Sequence, residues 1–378
     1  MTALARLALS LPLALATAVA LAQPRPAPAD DAAVLGPLAE VMTPDAQALD
    51  LTLARQAVTE VHAAPYRFTP RARFDSLFAA IEVRCAMARP RRDFVLDVRL
   101  AVNALSDGHA ALELPSDYLD FYYATEQRLP LELAVIDSGL YLAEAYYADA
   151  RLHRGAELVS VDGVPARELL LAYAAYGPTR DETIPSTLAA GLRGWRSRLV
   201  HALVCGLRQN YRAVVRDSAG ATCEAQLLGA GRDELRRQYG TSDGRPLNDL
   251  EYRDGDVAYL RIGSFDPGTV KAADGEKVVK QLRGYMDDVV AHAPRALVID
   301  VRGNGGGNEG LANELYGYLS DSNFQVLREV VTEARGKRLD NGVDRPQRVR
   351  PFAYGGPLER ALMQRRGEDG AYYRKHQS

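Results

Sequence analysis

One stretch of this sequence constrains the fold more than any other: two apolar strand patterns joined by a helical pattern. Residues 257–262 form a short apolar run, and residues 276–292 repeat apolar side chains at helical spacing. Residues 296–301, ALVIDV, are a second run of the kind that is buried on both faces in a parallel sheet. Two such strands joined by a helix predict a right-handed βαβ unit, and therefore an α/β fold for this part of the chain.

The second strand pattern continues directly into a glycine-rich loop. Residues 302–310 read RGNGGGNEG, and a helical pattern follows from Leu311 to about Leu319. Glycines permit positive φ and leave backbone N–H groups accessible where a helix begins. Because ligands bind at the carboxyl ends of strands in open α/β sheets, the loop is predicted to be a functional site. A tight strand-to-helix turn without any ligand would use the same glycines.

A dinucleotide-binding loop is one alternative interpretation of these glycines. Gly305, Gly307 and Gly310 fit a GxGxxG fingerprint, and the acidic residue Glu329 follows at a suitable distance. The strand pattern, however, runs on through polar residues before the first glycine, whereas the nucleotide fingerprint begins where the strand ends. We therefore favour a different kind of site.

The first residues predict an export signal. Residues 1–6 are a short basic start, and residues 7–21 are an almost purely apolar run that ends in a small-x-small pattern at 20–22. This run is shorter than the ~20 residues of a membrane span. We expect a signal peptide over 1–22 and an exported protein, periplasmic or secreted, without membrane attachment after signal removal. An N-terminal anchor is the alternative.

Composition excludes several other classes of protein. With 46 basic and 49 acidic side chains, the net charge of −3 argues against a nucleic-acid partner. The cysteines are Cys85, Cys205 and Cys223, and an oxidising compartment would permit a Cys205–Cys223 bridge. Scattered histidines and the lack of CxxC or HExxH patterns predict no metal site, and no cofactor is expected.

Helical patterns come first along the chain and strand patterns follow. Helices are predicted from Pro44 to about His62, after Thr69-Pro70, and from Phe94 until Gly108 ends the third. The second helix has one apolar face, which consists of Phe74, Leu77, Phe78, Ile81 and Cys85.

Short strands are predicted after these helices. Residues 131–136 and 140–145 flank a hairpin turn, and 157–161 leads through Asp162-Gly163 to a helix that begins near Ala166. The region around Cys205 is expected to be helical.

The βαβ segment and its loop resemble a known family. VAYLRIGSF at 257–265 and ALVIDVRGNGGG at 296–307 are similar to the core of the tail-specific (carboxy-terminal processing) serine proteases and their tricorn-core relatives. SDGHAALELP at 106–115 resembles a DGH-type motif of one branch, and 154–170 resembles the PDZ-type module that follows it. Members carry a strand ending in Asp-x-Arg-x-Asn-x-Gly-Gly, and here those places hold Asp300, Arg302, Asn304, Gly306 and Gly307.

The resemblance implies a multi-domain α+β chain with a crotonase-like α/β core. After the signal peptide, the expected segments are a flexible lead-in at 23–40, a helical cap domain at 41–109, a PDZ-like β module at 110–175, a connecting region at 176–250, an incomplete crotonase-like protease core at 251–333 and a polar tail at 334–378.

The resemblance also implies a chemistry. Relatives cleave peptide bonds with a serine nucleophile, and amides of the glycine loop stabilise the oxyanion, a role that matching positions give to Gly305 and Gly306. Loop support is expected from Asp300, Arg302 and Asn304. His109, in the DGH-type motif, is the candidate general base, because an imidazole can take the hydroxyl proton near neutral pH. The other histidines are expected to be surface or packing residues.

The nucleophilic serine is expected to be absent from this sequence. After Gly310 the chain offers Ser320 and Ser322 in a turn cluster, and Ser378. Ser264 occupies a place that is a structural turn in the family. A truncated product, a degenerate relative and an unrecognised nucleophile all remain open, and truncation before the serine is favoured.

The expected function is therefore an exported serine-type peptidase that acts on polypeptides by acyl transfer and is inactive as this chain. The alternative is a non-catalytic protein that binds a ligand or peptide on the same core. The sequence leaves open whether the chain forms a homo-oligomer.

Overall fold

The computed structural model describes residues 34–62, 64–137, 139–146, 148–177, 192, 194–239, 247–266 and 278–322, and five short strands further on. The predicted signal peptide and residues 23–33 of the predicted lead-in lie outside these residues. The chain divides into two compact units, the first built on 1–240 and the second on 241–331.

Three helices open the first unit, as predicted. α1 is Pro44–Gln56 and continues as one π turn over Ala57–Val61, α2 is Arg71–Cys85, and α3 is Arg91–Asn103. Thr43 caps α1, because its hydroxyl accepts the Ala46 N–H at 3.3 Å. The predicted apolar face of α2 is confirmed as buried at Phe74, Leu77, Phe78, Ile81 and Cys85.

Two predictions in this part of the chain need correction. α3 does not extend to Gly108; it ends at Asn103, and Ser106 takes a positive φ of 50° that turns the chain away. His109 therefore lies in a turn beyond the helix. The predicted lead-in is not flexible throughout, since Leu35 and Leu38 are buried in the core, and Leu38 lies within a 3-10 turn at Gly36–Ala39.

A mixed helix and strand region completes the first unit. Its helices are α4 Ser116–Ala124, α5 Ala166–Tyr176, α6 Trp195–Cys205 and α7 Arg232–Tyr239. Its strands are β3 Leu133–Ile136, β4 Gly139–Leu142, β5 Glu157–Val161, β6 Val164–Pro165, β7 Asn210–Arg216 and β8 Thr222–Leu228, while β1 Val41–Met42 pairs with β2 Arg89–Pro90 near the first helices.

These strands form an antiparallel sheet in the order β3-β4-β5-β7-β8, with β6 on β5. The predicted β3–β4 hairpin and the predicted helix at Ala166 are confirmed. Asp162 and Gly163 both take positive φ between β5 and β6, as a two-residue hairpin turn requires. α6 confirms the prediction of a helix around Cys205. The β7–β8 hairpin lies in residues 176–250, which were predicted only as a connecting region, and the sequence analysis did not predict this hairpin.

One apolar core runs through the first unit. Helices from the predicted cap domain, 41–109, and strands from the predicted β module, 110–175, contribute to the same buried cluster. The border between these two predicted domains stays a prediction. The largest fully buried side chains of the cluster include Phe74, Phe78, Tyr118, Tyr122, Tyr173 and Tyr211.

A buried histidine makes the stability of this core sensitive to acid. His201 shares a 2.7 Å hydrogen bond with the Tyr173 hydroxyl, and burial together with nearby Arg208 lowers the pKa of His201 to about 3. The unfolded chain takes up this proton near a pKa of about 6.5, so we expect the free energy of unfolding to fall by about 2 kcal/mol between pH 7 and pH 5.

Denaturant unfolding at the two pH values measures this loss. The His201→Gln variant should lose that part of the pH dependence, while His153→Ala, which removes an exposed histidine, should keep it. Equal pH dependence in wild type and His201→Gln would contradict the prediction.

The second unit contains the predicted βαβ arrangement. Its elements are β9 Asn248–Arg253, β10 Val257–Ile262, α8 Val278–His292, β11 Ala296–Asp300 and α9 Glu309–Leu319. The sheet order is β11-β10-β9, with β10 parallel to β11 and antiparallel to β9. Its small core consists of Leu260, Ile262, Leu282, Met286 and Leu315.

The expectation that 296–301 is buried on both faces is wrong for the described residues. Leu297 and Ile299 pack toward the core that α8 and α9 cover, whereas Ala296 and Val298 on the other face are exposed, Val298 to 43%. Alternate side chains of a strand point to opposite faces, and among the described residues helices cover only one face of this sheet.

The remaining described strands lie at the end of the chain. β12 Val331–Thr332, β16 Tyr372–Arg374 and β15 Gln364–Arg366 form one sheet in that order, and β13 Lys337–Arg338 pairs with β14 Arg348–Val349. Cys85, Cys205 and Cys223 are all free thiols, so the Cys205–Cys223 bridge is not formed in this structure. No helix in the described ranges is long and apolar enough to span a bilayer.

Candidate functional site

The glycine loop joins β11 to α9 and is held against the chain that leaves β10. Phe265 N–H donates to the Gly306 carbonyl, and Asn308 N–H donates to the Phe265 carbonyl, each at 2.9 Å. Asn308 also caps α9, since its side-chain oxygen accepts the Gly310 N–H at 2.8 Å. The backbone of the loop is therefore fixed from both sides.

Asn304 fixes the centre of this loop through both ends of its amide. Its Nδ2 donates to the Ile262 carbonyl at 2.9 Å, and its Oδ1 accepts the Gly306 N–H at 2.7 Å. Its own N–H donates to the Val301 carbonyl at 3.0 Å. One side chain thus ties the loop to the end of β10 and sets the orientation of the Gly306 peptide.

Asn304→Ala is expected to destabilise the loop by about 2 kcal/mol, because two side-chain hydrogen bonds disappear and the Ile262 carbonyl loses a partner. Hydrogen exchange of peptides that cover 300–310 measures the effect. Asn210→Ala, at an exposed position of β7, is the control and should leave exchange at 300–310 unchanged. Unchanged exchange at 300–310 in Asn304→Ala would contradict this role.

Asp300 and Arg302 form an ion pair at the end of β11. The Asp300 carboxylate accepts from Arg302 Nε at 2.8 Å and Nη2 at 2.7 Å, and the Tyr259 hydroxyl donates to the same carboxylate. These bonds, from Arg302 first and then from Tyr259, hold the pKa of Asp300 far below its usual value. Arg302 was expected to support the loop itself; its side chain instead is 84% exposed and pairs with Asp300 and Tyr259.

Gly305 and Gly306 were predicted to donate their N–H groups to an oxyanion, but in the structure the N–H of Gly306 already has a partner. The Gly306 N–H is already used by Asn304, because Asn304 folds back on the peptide two residues ahead, in the manner of an Asx turn. Gly305 is exposed, its N–H has no backbone acceptor among the described residues, and a Cβ at this position would meet nothing within 4 Å. Gly305 is therefore the accessible member of the predicted pair.

His109 lies in a turn of the first unit that is organised by Asp107. Asp107 Oδ1 accepts the His109 N–H at 2.8 Å, and the Ala110 N–H donates to the Asp107 carbonyl at 3.1 Å. The His109 side chain is 99% exposed, and its Nδ1 is 3.8 Å from Asp107 Oδ1. The backbone at this position is fixed while the imidazole faces solvent.

His62 belongs to the same cluster, which the sequence did not indicate. Its Nε2 lies 2.9 Å from Asp107 Oδ2, and its side chain is 19% exposed. Burial raises the pKa of Asp107, but the His109 N–H and the His62 imidazole outweigh it and hold that pKa below its usual value. The two residues are 45 positions apart, so no local motif could have paired them.

The serines near the loop sit in turns. Ser320 follows the last residue of α9, and its hydroxyl donates to the Ser322 carbonyl at 2.7 Å. Ser264 follows β10, and its hydroxyl accepts the Asp266 N–H at 3.0 Å, which is consistent with the predicted structural turn. None of these three described serines begins a helix after a strand. Within the described residues, no group of His, Cys, Asp and Glu side chains is arranged to hold a metal ion.

Comparison with known proteins bears on the segment that contains the loop. The sequence model of peptidase family S41 matches residues 256–357. No curated protein matches the chain.

Two solved structures match this chain with TM-scores below 0.5. A crystal structure of a CPAF mutant matches with a TM-score of 0.47 at 16% identity, over 70% of this chain and 57% of that chain. A structure of mature CPAF complexed with lactacystin matches with a TM-score of 0.45 at 15% identity, over 72% of this chain and 59% of that chain. This chain spans less than two thirds of the length of either structure. The segment that matches the model of peptidase family S41, residues 256–357, includes the glycine loop.

Proposed function

We propose that this chain is part of an exported serine-type peptidase of the tail-specific type, which cleaves polypeptides by acyl transfer. The observation that supports this most is the loop between β11 and α9, where Asn304 holds the backbone and the Gly305 N–H stays accessible. The loop lies inside the segment that matches peptidase family S41. Export is supported by the signal-like pattern of residues 1–22.

The chemistry assigned to the loop is stabilisation of an oxyanion. An amide that donates from about 2.7–3.1 Å to the developing oxyanion lowers the barrier, and loss of one such donor costs about 3 kcal/mol. Gly305 is the main donor in this proposal. Gly306 would contribute only if its N–H left Asn304, so Asn304 sets how many donors the loop offers.

His109 is proposed as the general base that takes the proton of the attacking serine hydroxyl. Its imidazole is exposed while its backbone is fixed by Asp107, so the ring can turn without moving the chain. A histidine exchanges a proton near neutral pH, as acyl transfer requires. The segment 154–170, with β5, its turn and α5, is proposed as a PDZ-like element that receives an extended polypeptide by strand addition.

The polypeptide 1–378 is proposed to be inactive by itself. Ser320 and Ser322 bond to one another in a turn, and Ser264 is held in another turn. A nucleophilic serine needs a base within hydrogen-bond reach and an open face toward the oxyanion donors. The engagement of these serines in turns also favours one alternative function, a non-catalytic protein that binds a ligand or a peptide on this core.

Labelling with a serine-directed fluorophosphonate probe tests the proposal. Purified 1–378 should remain unlabelled, while the longest in-frame product of the gene should be labelled on one serine located after position 322. His109→Ala in that product should abolish labelling, and His153→Ala should not.

One result would overturn the peptidase assignment, and another would overturn only the role of His109. One is an in-frame product that ends at Ser378, takes up no probe and binds a ligand or peptide, which would establish the binding alternative. The other is labelling that persists in His109→Ala, which would remove His109 from the mechanism.

A further inference from the structure

A histidine outside the predicted site is bonded to the turn that carries the predicted base. We propose that His62 is a positioning residue for His109, acting through Asp107. This inference rests on the proposed role of His109 as a general base.

Asp107 is the link between the two histidines. Its Oδ1 accepts the His109 N–H at 2.8 Å, and its Oδ2 lies 2.9 Å from His62 Nε2. Each carboxylate oxygen therefore has its own partner, and the two partners come from different parts of the first unit. A carboxylate held at both oxygens cannot rotate without breaking a bond.

The hydrogen bonds of His62 define which nitrogen carries the proton. Nδ1 accepts the Ala64 N–H at 3.2 Å, so it carries no hydrogen. In the neutral imidazole the hydrogen must then be on Nε2, which donates it to Asp107. This tautomer is set by the backbone directly after His62, and the donor toward Asp107 is present without protonation of the ring.

His62 also ties the turn to a rigid element. It directly follows the π turn of α1, where its N–H donates to the Ala57 carbonyl at 3.3 Å. The turn at 106–110 follows the end of α3 and contains Ser106 at positive φ. A bond from the end of α1 to Asp107 therefore anchors a segment whose own helix has already ended.

The solvent exposure of the His62, Asp107 and His109 side chains increases from the proposed supporting residue to the proposed base. His62 is 19% exposed, Asp107 is 34% exposed and His109 is 99% exposed. The interior histidine supports the carboxylate, and the outer histidine is free to meet a reacting group. Such support of a site by a fixed second residue is how catalytic geometry is commonly maintained.

NMR of the 1–378 chain tests this link without any need for activity. In His62→Ala, hydrogen exchange of the His109 amide should become about tenfold faster, because the carboxylate that accepts this amide loses its second anchor. His62→Gln can place an amide donor where Nε2 lies and should restore exchange to within about twofold of wild type. His153→Ala, an exposed histidine whose ring contacts the Arg154 carbonyl, is the matched control and should change nothing.

Two results would overturn the proposal. One is unchanged His109 amide exchange in a folded His62→Ala variant. The other is faster exchange in His62→Gln equal to that in His62→Ala, because it would mean that ring packing rather than donation matters.

The His62→Gln variant keeps the test decisive if His62→Ala does not fold. Exchange of the His109 amide about tenfold faster than in wild type would then overturn the proposal, because Gln still supplies a donor toward Asp107. Failure of probe labelling in the longer product would instead count against the peptidase function alone.

Discussion

Gly307→Ala is expected to lower the free energy of unfolding of the second unit by at least about 3 kcal/mol. A Cβ at this position would lie 2.2 Å from the Phe265 carbonyl carbon and 2.3 Å from the Asp266 nitrogen. Both atoms belong to the backbone, which cannot move aside as a side chain can. The φ of Gly307 is also 138°, a value that an alanine rarely adopts.

Gly305→Ala is the matched control for this change. A Cβ there would meet nothing within 4 Å, so we expect the stability to change by no more than about 0.5 kcal/mol. Hydrogen exchange of peptides covering 257–265 and 300–310, followed by mass spectrometry, measures both variants. Similar exchange in Gly307→Ala and wild type would show that the loop does not pack against Phe265 as described.

Asp97→Ala is expected to destabilise the first unit by about 3–5 kcal/mol, because it leaves buried arginine charge without a partner. The Asp97 side chain is 12% exposed and accepts from Arg84 at 2.7 and 2.9 Å and from Arg89 at 2.6 Å. Arg89, itself 13% exposed, also donates to Gln47 of α1 at 2.6 Å. The network therefore joins α1, α2 and α3, the helix that precedes the His109 turn.

Asp75→Ala provides the comparison for an exposed carboxylate. Asp75 lies 3.5 Å from Arg55 and 3.9 Å from Arg71, and its side chain is 51% exposed. Such surface pairs contribute about 0–1 kcal/mol, so this variant should unfold almost as wild type does. Thermal unfolding of the two variants measures the difference, and equal melting temperatures would contradict the buried network.

Elements set by short-range periodicity could be predicted from the sequence. The face of α2, from Phe74 to Cys85, follows directly from helical spacing, and the β10–α8–β11 unit follows from two apolar runs around a helix. The Asp162-Gly163 turn carries its own signal, since both residues suit positive φ. These features depend on residues close together in the chain.

Features that depend on distant partners or on competing hydrogen bonds were not predictable. His62 meets Asp107 only because α1 and the turn after α3 come together in the fold. The Gly306 N–H was expected to face a substrate, but the Asn304 side chain reaches it first. Val298 was expected to be buried, and its exposure depends on what covers the second face of the sheet, which a strand's own residues do not encode.

Release of labelled fragments from casein by purified 1–378 is the most direct measurement of the central proposal, that residues 1–378 contain part of a serine peptidase and are inactive by themselves. We expect no release above the buffer rate, for wild type and for His109→Ala alike. Casein cleavage by the wild-type chain that His109→Ala abolishes would contradict it, because such cleavage requires a nucleophilic serine within residues 1–378.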